Sequence, residues 1–167
     1  FLAPDATVMM VDDNSVNLRV GIGLLRPFGM RVITASGGAE ALNILHREKV
    51  DRVLMDHMMP EMDGVETAKR IRAMGGEFEK LPILALTANA MKGVKEMLLA
   101  NGMDDYMSKP VEMWELSEKL RRWLPESKVI SQTNTEVPVT REWQVNLPDI
   151  PGVDVAEGLS YMCTLHE

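Results

Sequence analysis

The order of apolar and polar residues in the first 124 positions constrains the fold of this chain more than any other feature. Five short apolar runs alternate with longer segments in which apolar residues recur every three or four positions. Short runs rich in branched residues are typical of strands buried on both faces of a parallel sheet, and the longer pattern is typical of amphipathic helices. The predicted strands are Val8–Val11, Val32–Thr34, Val53–Met55, Ile83–Leu86 and Asp105–Met107.

Local signals place helices between these strands. Ser36 is predicted to cap a helix that begins at Gly37, and Asp63, with Glu66 three residues later, to cap one that begins at Val65. The first and last helices are expected to bury regular apolar stripes. Their members are Val16, Val20, Leu24 and Phe28 in the first helix, and Met113, Leu116, Leu120 and Trp123 in the last.

Five β–α repeats in one domain-sized segment define the fold class. Crossovers between parallel strands are right-handed, so the repeats predict a doubly wound, five-stranded parallel α/β sheet with helices on both faces. In such sheets, ligands bind outside the carboxyl ends of the strands, where the strand order reverses. The residues that follow each strand are therefore the first candidates for chemistry.

Polar side chains follow four of the five predicted strands. Asp12 and Asp13 come directly after the first strand, Asp56 ends the third, Thr87 ends the fourth and Lys109 follows the fifth. Three carboxylates in one crevice repel each other unless a cation compensates them, and ligands that are all oxygen favour Mg²⁺ or Mn²⁺. With an ammonium and a hydroxyl nearby, this set predicts a metal-dependent phosphoryl-transfer site.

Four segments around these residues resemble the receiver (response-regulator) domains of two-component systems, most of all receivers fused to hybrid sensor histidine kinases. They read VDDN at 11–14, MDHMMPEMDG at 55–64, ALTANA at 85–90 and DDYMSKP at 104–110. The resemblance covers residues 6–124 and implies the flavodoxin-like receiver fold. It also implies that a phosphohistidine donates a phosphoryl group to this domain, which then switches a protein-interaction surface.

The resemblance implies roles for residues at the acceptor. Asp56 is expected to be the phosphoacceptor. Asp13, Asp56 and the backbone carbonyl of Met58 are expected to bind the metal directly, and Asp12 through water. Met58 and Asn89 are expected to flank the path of the hydrolytic water and to tune the lifetime of the phosphoryl group.

The resemblance also implies roles for residues in or directly after the fourth and fifth predicted strands. The resemblance implies that Thr87 and Tyr106 form a switch pair and that Lys109 contacts the phosphoryl group. It also implies a cis peptide bond between Lys109 and Pro110. Asp56, Lys109 and Thr87 would together assist phosphorylation and dephosphorylation of the receiver itself.

Two alternatives stay open at the level of sequence. A phosphatase of the haloacid dehalogenase type also uses aspartates, a lysine and Mg²⁺, but it places two aspartates two residues apart after its first strand. A degenerate receiver used only for binding is the other alternative. The parent protein is expected to be a hybrid histidine kinase, a transferase whose kinase domains are not in this chain.

The remaining residues differ in composition. Residues 125–138 are polar and aperiodic, as expected of a linker, and 139–167 are assigned to a tail. The stretch 147–159 resembles the start of a histidine-phosphotransfer domain. Residues 1–124 carry a net charge of −2 and the remainder −5, within a total of −7. This balance disfavours nucleic-acid binding.

Composition and resemblance together define the expected partners. The expected donor is a phosphohistidine on a histidine kinase or on a histidine-phosphotransfer protein, and a homodimer is a further partner that the sequence allows. Nucleic acid is not expected as a partner, because the chain is acidic. Direct membrane contact is not expected either, because the apolar runs are far shorter than the ~20 residues that cross a bilayer. A cytoplasmic location is predicted, with a parent protein that a membrane segment could anchor.

Overall fold

The computed structural model describes residues 1–89 and 91–131, except for the side chain of Lys92. Within these residues the chain forms five strands, each of which contains one predicted from the sequence. The strands are β1 (Thr7–Val11), β2 (Arg31–Ala35), β3 (Arg52–Asp56), β4 (Ile83–Thr87) and β5 (Asp105–Ser108). The predicted tail at 139–167 and most of the predicted linker lie outside the described residues.

Within the same residues, five α-helices connect or follow the strands, and short 3₁₀ turns lie at Arg26–Phe28, Gly76–Glu79 and Glu126–Lys128. The helices are α1 (Ser15–Leu25), α2 (Gly38–Leu45), α3 (Gly64–Ala73), α4 (Lys92–Ala100) and α5 (Met113–Trp123). In the part of the chain so described, no helix combines the length and apolar character that a bilayer crossing requires.

The sheet has the order β2-β1-β3-β4-β5, and all four pairings are parallel. Side chains alternate between its faces, so that Met9 and Val53 belong to one core and Met10 and Leu54 to the other. Helices α2, α3 and α4 cover the first core, and α1 and α5 cover the second. The predicted doubly wound fold is confirmed, and the strand order reverses between β1 and β3.

The buried face of α1 differs from the predicted stripe. Val16 is 61% exposed and Val20 is 55% exposed, whereas Gly21 and Leu25 are buried. A Cβ atom at Gly21 would collide with the side chain of Met10, so glycine allows the helix to approach β1 closely at this point. The prediction that Val16 and Val20 are core residues is therefore wrong, because this close contact sets the rotation of the helix.

The predicted caps had different outcomes. Asp63 accepts a hydrogen bond from the Glu66 backbone N–H at 2.8 Å, as predicted for the start of α3. In α2 the N-cap is Gly37, and the backbone N–H and hydroxyl of Ser36 instead donate to the Glu40 carboxylate at 2.7 and 2.6 Å. The predicted Ser36 cap is wrong because α2 begins one residue later than expected.

The stripe of α5 is only partly buried. Leu116 and Leu120 lie in the core, but Met113 is 39% exposed and Trp123 is half-buried. After α5 the chain continues along the domain: Ile130 forms an antiparallel bridge with Leu2.

Candidate functional site

The carboxyl ends of β1 and β3 bring three carboxylates together. One carboxylate oxygen from each of Asp12, Asp13 and Asp56 lies within 4.8 Å of the others. Asp12 is fully buried, Asp56 is 6% exposed and Asp13 faces solvent. Because β1 and β3 are adjacent, parallel strands, their ends meet at one edge of the sheet, as the sequence predicted.

Lys109 reaches this cluster from the residue after β5. Its Nζ donates to Asp12 Oδ2 and to Asp56 Oδ1, both at 2.9 Å. The backbone N–H of Lys109 donates to the Thr87 carbonyl at 2.7 Å, which ties the loop to the end of β4. The Lys109–Pro110 peptide bond is cis. One ammonium thus bridges two carboxylates from two different strands.

Asn17 is a site residue that sequence reasoning missed. Its Nδ2 lies 3.2 and 3.1 Å from the two carboxylate oxygens of Asp12, and the Asn14 backbone N–H donates to the same carboxylate at 2.8 Å. Asn17 follows Asp12 by five residues, in the first turn of α1. Its position in the first turn of the helix after β1 could have predicted this contact, because the start of that helix faces the same edge of the sheet.

Burial and the Lys109 charge act in opposite directions on the pKa of Asp56. Burial is the largest effect and raises the pKa of Asp56, with a smaller increase from the neighbouring Asp12. Hydrogen bonds from Lys109 and from the Met58 backbone N–H lower it, but the net pKa stays above its ordinary value. For Lys109, burial lowers the pKa, and the hydrogen bonds to Asp12 and Asp56 together raise it above its ordinary value. The lysine is therefore cationic at neutral pH.

The loop between β3 and α3 is held close to Asp56. Gly64 donates its backbone N–H to the His57 carbonyl at 3.0 Å, and a Cβ at Gly64 would collide with the Asp56 carbonyl oxygen. Glycine is thus required for this close approach. Glu61 adopts a left-handed conformation with φ of 63°, which completes the turn. The loop exposes Met58 and buries Met59.

Thr87 is 1% exposed, and its hydroxyl is occupied by its own loop. Its Oγ1 donates to the Asn89 carbonyl at 3.0 Å, and the Asn89 backbone N–H lies 3.1 Å from Oγ1. The structure therefore places Thr87 at the edge of the sheet beside Asp56 without joining the two side chains by a hydrogen bond. Any contact with a group on Asp56 requires Thr87 to exchange its present partner.

Tyr106 lies on the opposite side of β5 from the neighbouring Asp105, and its half-buried ring packs against the core under α4. The Nζ atoms of Lys95 and Lys119 lie 5.3 and 5.2 Å from the ring centroid. Each distance is within the range of a cation–π interaction. The ring therefore connects α4 with α5 through β5.

The donor set fits a hard divalent cation. All three clustered side chains offer carboxylate oxygens, one of them exposed, and among the side chains that the structure describes only the Lys109 ammonium pairs with them. Mg²⁺ and Mn²⁺ prefer oxygen ligands, and Mg²⁺ keeps several waters. A cleft of about 440 Å³ opens beside Asp13, between the loops that carry Ser36 and Pro60.

A doubly wound sheet with this acidic edge and its bridging lysine defines the class of receiver-type signalling domains. Residues 8–121 match the response regulator receiver domain family, so the chain belongs to that family. The match disfavours the phosphatase alternative, and so does the adjacency of Asp12 and Asp13, which that family would separate by two positions.

Among curated relatives, the chain is similar to the sensor protein GacS of Pseudomonas syringae pv. syringae. The two are 43% identical over 118 residues, which cover 70% of this chain and 13% of GacS. It is also 35% identical over 165 residues to the signal transduction histidine-protein kinase BarA of Escherichia coli K12, covering 93% of this chain and 18% of BarA. The chain thus spans less than a fifth of the length of these relatives.

Two solved structures of receiver domains are also similar to this chain. The receiver domain of the sensor histidine kinase PA1611 from Pseudomonas aeruginosa, solved with magnesium in its active-site cleft, has a TM-score of 0.65 and 39% identity. The alignment covers 71% of this chain and 96% of that one. The Saccharomyces cerevisiae Ssk1 receiver, solved with the phosphotransfer protein Ypd1, matches with a TM-score of 0.66 and 31% identity, covering 76% and 94%.

Proposed function

We propose that this receiver accepts a phosphoryl group on Asp56 in a reaction that requires a divalent cation. The observation that carries the proposal is the ammonium of Lys109, which lies 2.9 Å from both Asp12 and Asp56 beside a third carboxylate. This arrangement combines a nucleophile, fixed positive charge and ligands for a metal at one edge of the sheet.

Mg²⁺ is the proposed ion, with Mn²⁺ as a substitute. Asp13, Asp56 and the backbone carbonyl of Met58 would bind it, and Asp12 would contribute through water. When bound, the ion neutralises charge on the phosphoryl oxygens and on the crowded carboxylates. The magnesium in the PA1611 receiver supports this assignment.

The proposed phosphodonor is a phosphohistidine on a histidine kinase or on a histidine-phosphotransfer protein. An Asp56 carboxylate oxygen bonds to phosphorus, the phosphorus–nitrogen bond breaks, and the electron pair leaves with the donor imidazole. Lys109 stabilises the negative charge that the phosphoryl oxygens carry. The Ssk1 receiver in complex with Ypd1 supports a donor of this kind.

Phosphorylation is proposed to reset the pair formed by Thr87 and Tyr106. The Thr87 hydroxyl would leave the Asn89 carbonyl and donate to a phosphoryl oxygen, and the Tyr106 ring would fill the space that becomes free. Such repacking has two states, and new hydrogen bonds bias it. The surface formed by α4, β5 and α5 would change and report the phosphorylated state to a partner.

At the level of the whole protein, we assign this domain to a hybrid sensor histidine kinase in a cytoplasmic phosphorelay. Residues 6–124 would form the receiver and 125–138 a linker to a tail at 139–167. The similarity to GacS and BarA supports this assignment. The receiver itself would assist both its phosphorylation and its hydrolysis, with Met58 and Asn89 beside the attacking water.

Intact-mass measurement tests the acceptor directly. The chain is incubated with acetyl phosphate, with and without Mg²⁺, and a gain of one phosphoryl group is expected only with the ion. Asp56→Asn should abolish the gain, and Asp13→Ala should weaken Mg²⁺ binding and slow labelling together. Normal labelling of Asp56→Asn, or labelling of the wild type in excess chelator, would contradict the proposal.

A further inference from the structure

Exposed methionines are concentrated beside the phosphoacceptor. Met58 is 70% exposed and Met91 is 71% exposed, and they lie in the loops that follow β3 and β4. Met59, the immediate neighbour of Met58, is only 8% exposed and packs in the core. Across residues 1–89 and 91–131, the two most exposed methionines thus lie on the loops that frame the site.

Met58 is also connected to the acceptor through the backbone. It follows Asp56 by two residues in the loop after β3, and its backbone N–H lowers the pKa of the Asp56 carboxyl group. Gly64 holds the same loop against the Asp56 main chain. A chemical change at Met58 therefore takes place two residues from the Asp56 carboxylate, on a loop that Gly64 anchors to the Asp56 main chain.

We propose that Met58 is a redox-sensitive modification site that sets the lifetime of the phosphoryl group on Asp56. The oxidant is hydrogen peroxide. The thioether sulfur takes one oxygen atom, the peroxide O–O bond breaks, sulfur is oxidised by two electrons, and the peroxide is reduced to water. The inference rests on the proposed phosphorylation of Asp56 and adds a form of regulation to that site.

The physical reason is the change in hydrogen bonding at the side chain. A thioether is a weak acceptor, whereas a sulfoxide is polar and presents a strongly accepting oxygen. An acceptor beside Asp56 can orient the water that attacks phosphorus, as the amide oxygen of an asparagine would. Oxidation of Met58 should therefore shorten the lifetime, and reduction by methionine sulfoxide reductases should restore it.

Two methionines provide internal controls. Met59 precedes Pro60 in the same loop, but its burial protects its sulfur from peroxide. Met91 is as exposed as Met58, yet its described hydrogen bond to the site runs only from its backbone N–H to Asn89 Oδ1, at 3.0 Å. Oxidation of Met91 should therefore leave the lifetime unchanged.

The experiment uses the full chain, oxidised with hydrogen peroxide until peptide mass spectrometry shows complete sulfoxide at Met58. Oxidised and untreated samples are phosphorylated with acetyl phosphate and Mg²⁺, the donor is removed, and the decay of the phosphorylated mass is followed. The oxidised protein should lose the group about 2- to 10-fold faster, as expected for one additional hydrogen bond in the transition state. Treatment with the reductases should reverse this change.

Variants separate Met58 from the other methionines. Met58→Leu is expected to lose the response to peroxide, whatever its own starting lifetime, and Met91→Leu to keep it. An unchanged or longer lifetime at complete Met58 oxidation would overturn the inference, and so would an equal response in Met58→Leu. Failure of the proposed function would look different, because the untreated protein would then gain no phosphoryl group.

Discussion

Two carboxylates of low exposure, each paired with a lysine, have pKa values that move in opposite directions. Asp56 contacts Lys109 at 2.9 Å, and its pKa is raised. Asp105 contacts Lys119 at 2.7 Å, and its pKa is lowered. Burial opposes ionisation at both, so the difference comes from their other neighbours.

Those neighbours differ in number and in sign. Asp105 also accepts hydrogen bonds from the Trp123 indole at 3.1 Å and from the Tyr106 backbone N–H at 2.8 Å. Asp56 shares its lysine with Asp12, whose charge raises the pKa further. Asp105 thus accepts hydrogen bonds from three donors, whereas the three clustered carboxylates at Asp56 share one ammonium among the described side chains, an excess of negative charge that a metal ion can balance.

The largest expected contrast is in labelling by acetyl phosphate with Mg²⁺. Asp56→Asn should abolish the mass gain because it removes the nucleophile. Asp105→Asn should label within about threefold of the wild-type rate, since partly buried substitutions away from the reacting atoms chiefly change stability. If Asp105→Asn does not label in a sample that circular dichroism shows to be folded, the claim that only the Asp56 cluster is needed for labelling is wrong.

The two lysines should separate catalysis from stability. Lys109→Met should slow labelling about 10²- to 10³-fold, the usual effect of removing one preorganised donor from a transition state. Lys119→Met should label normally but lower the free energy of unfolding by about 1–3 kcal/mol, because it leaves the Asp105 charge less satisfied. Labelling rates and urea unfolding are measured for both variants. Equal labelling defects in the two would refute the assignment of Lys109 to phosphoryl transfer and of Lys119 to stability.

The pKa directions predict opposite pH effects on unfolding without metal. The pKa of Asp105 is lower in the folded state than its ordinary value of 3.8. Ionised Asp105 therefore stabilises the fold above pH 3.8, and this stabilisation is lost as the pH falls from 3.8 through the lowered pKa. Ionised Asp56 costs stability once pH rises through its raised pKa, above 3.8. At pH 7, Asp56→Asn should therefore be more stable than wild type and Asp105→Asn less stable.

Both stability differences should shrink at pH 3, where the wild-type Asp56 is protonated and the Asp105 stabilisation is being lost. Urea unfolding midpoints at the two pH values measure them. A gain for Asp105→Asn at pH 7, or a loss for Asp56→Asn, would show that the charge assignments are reversed. Labelling of wild type should also slow as pH falls through the raised pKa of Asp56, because only the carboxylate is nucleophilic.

The smallest expected effect is a change in the environment of Asp105 when a phosphoryl mimic binds at Asp56. Addition of beryllofluoride, a phosphoryl mimic, should shift the Trp123 indole N–H resonance, because Trp123 donates to Asp105 next to Tyr106. Thr87→Ala should still label, within about threefold, but the indole shift should be reduced, since no hydroxyl couples Asp56 to Tyr106. Identical shifts in both proteins, measured by NMR, would exclude Thr87 from the switch.

Much of the fold and site followed from local sequence pattern. The alternation of strand and helix periods predicted all five strands, and parallel strands necessarily bring their carboxyl ends to one edge. Asp12, Asp56 and Lys109 were therefore predictable as neighbours. Asn17 was not, because its contact with Asp12 depends on how the first turn of α1 sits against β1.

What the sequence determined by itself was the order of elements, the family and the edge of the sheet where polar residues gather, because these depend on periodicity and motif spacing. Only the tertiary structure decided which side of α1 is buried, since the contact of Gly21 with Met10 outweighs the local stripe of Val16 and Val20. It also decided the burial of Arg52, which donates to the Lys119 carbonyl at 2.8 Å and whose pKa burial lowers to about 9. Such contacts join residues far apart in the chain, and periodicity within one element carries no information about its distant partners.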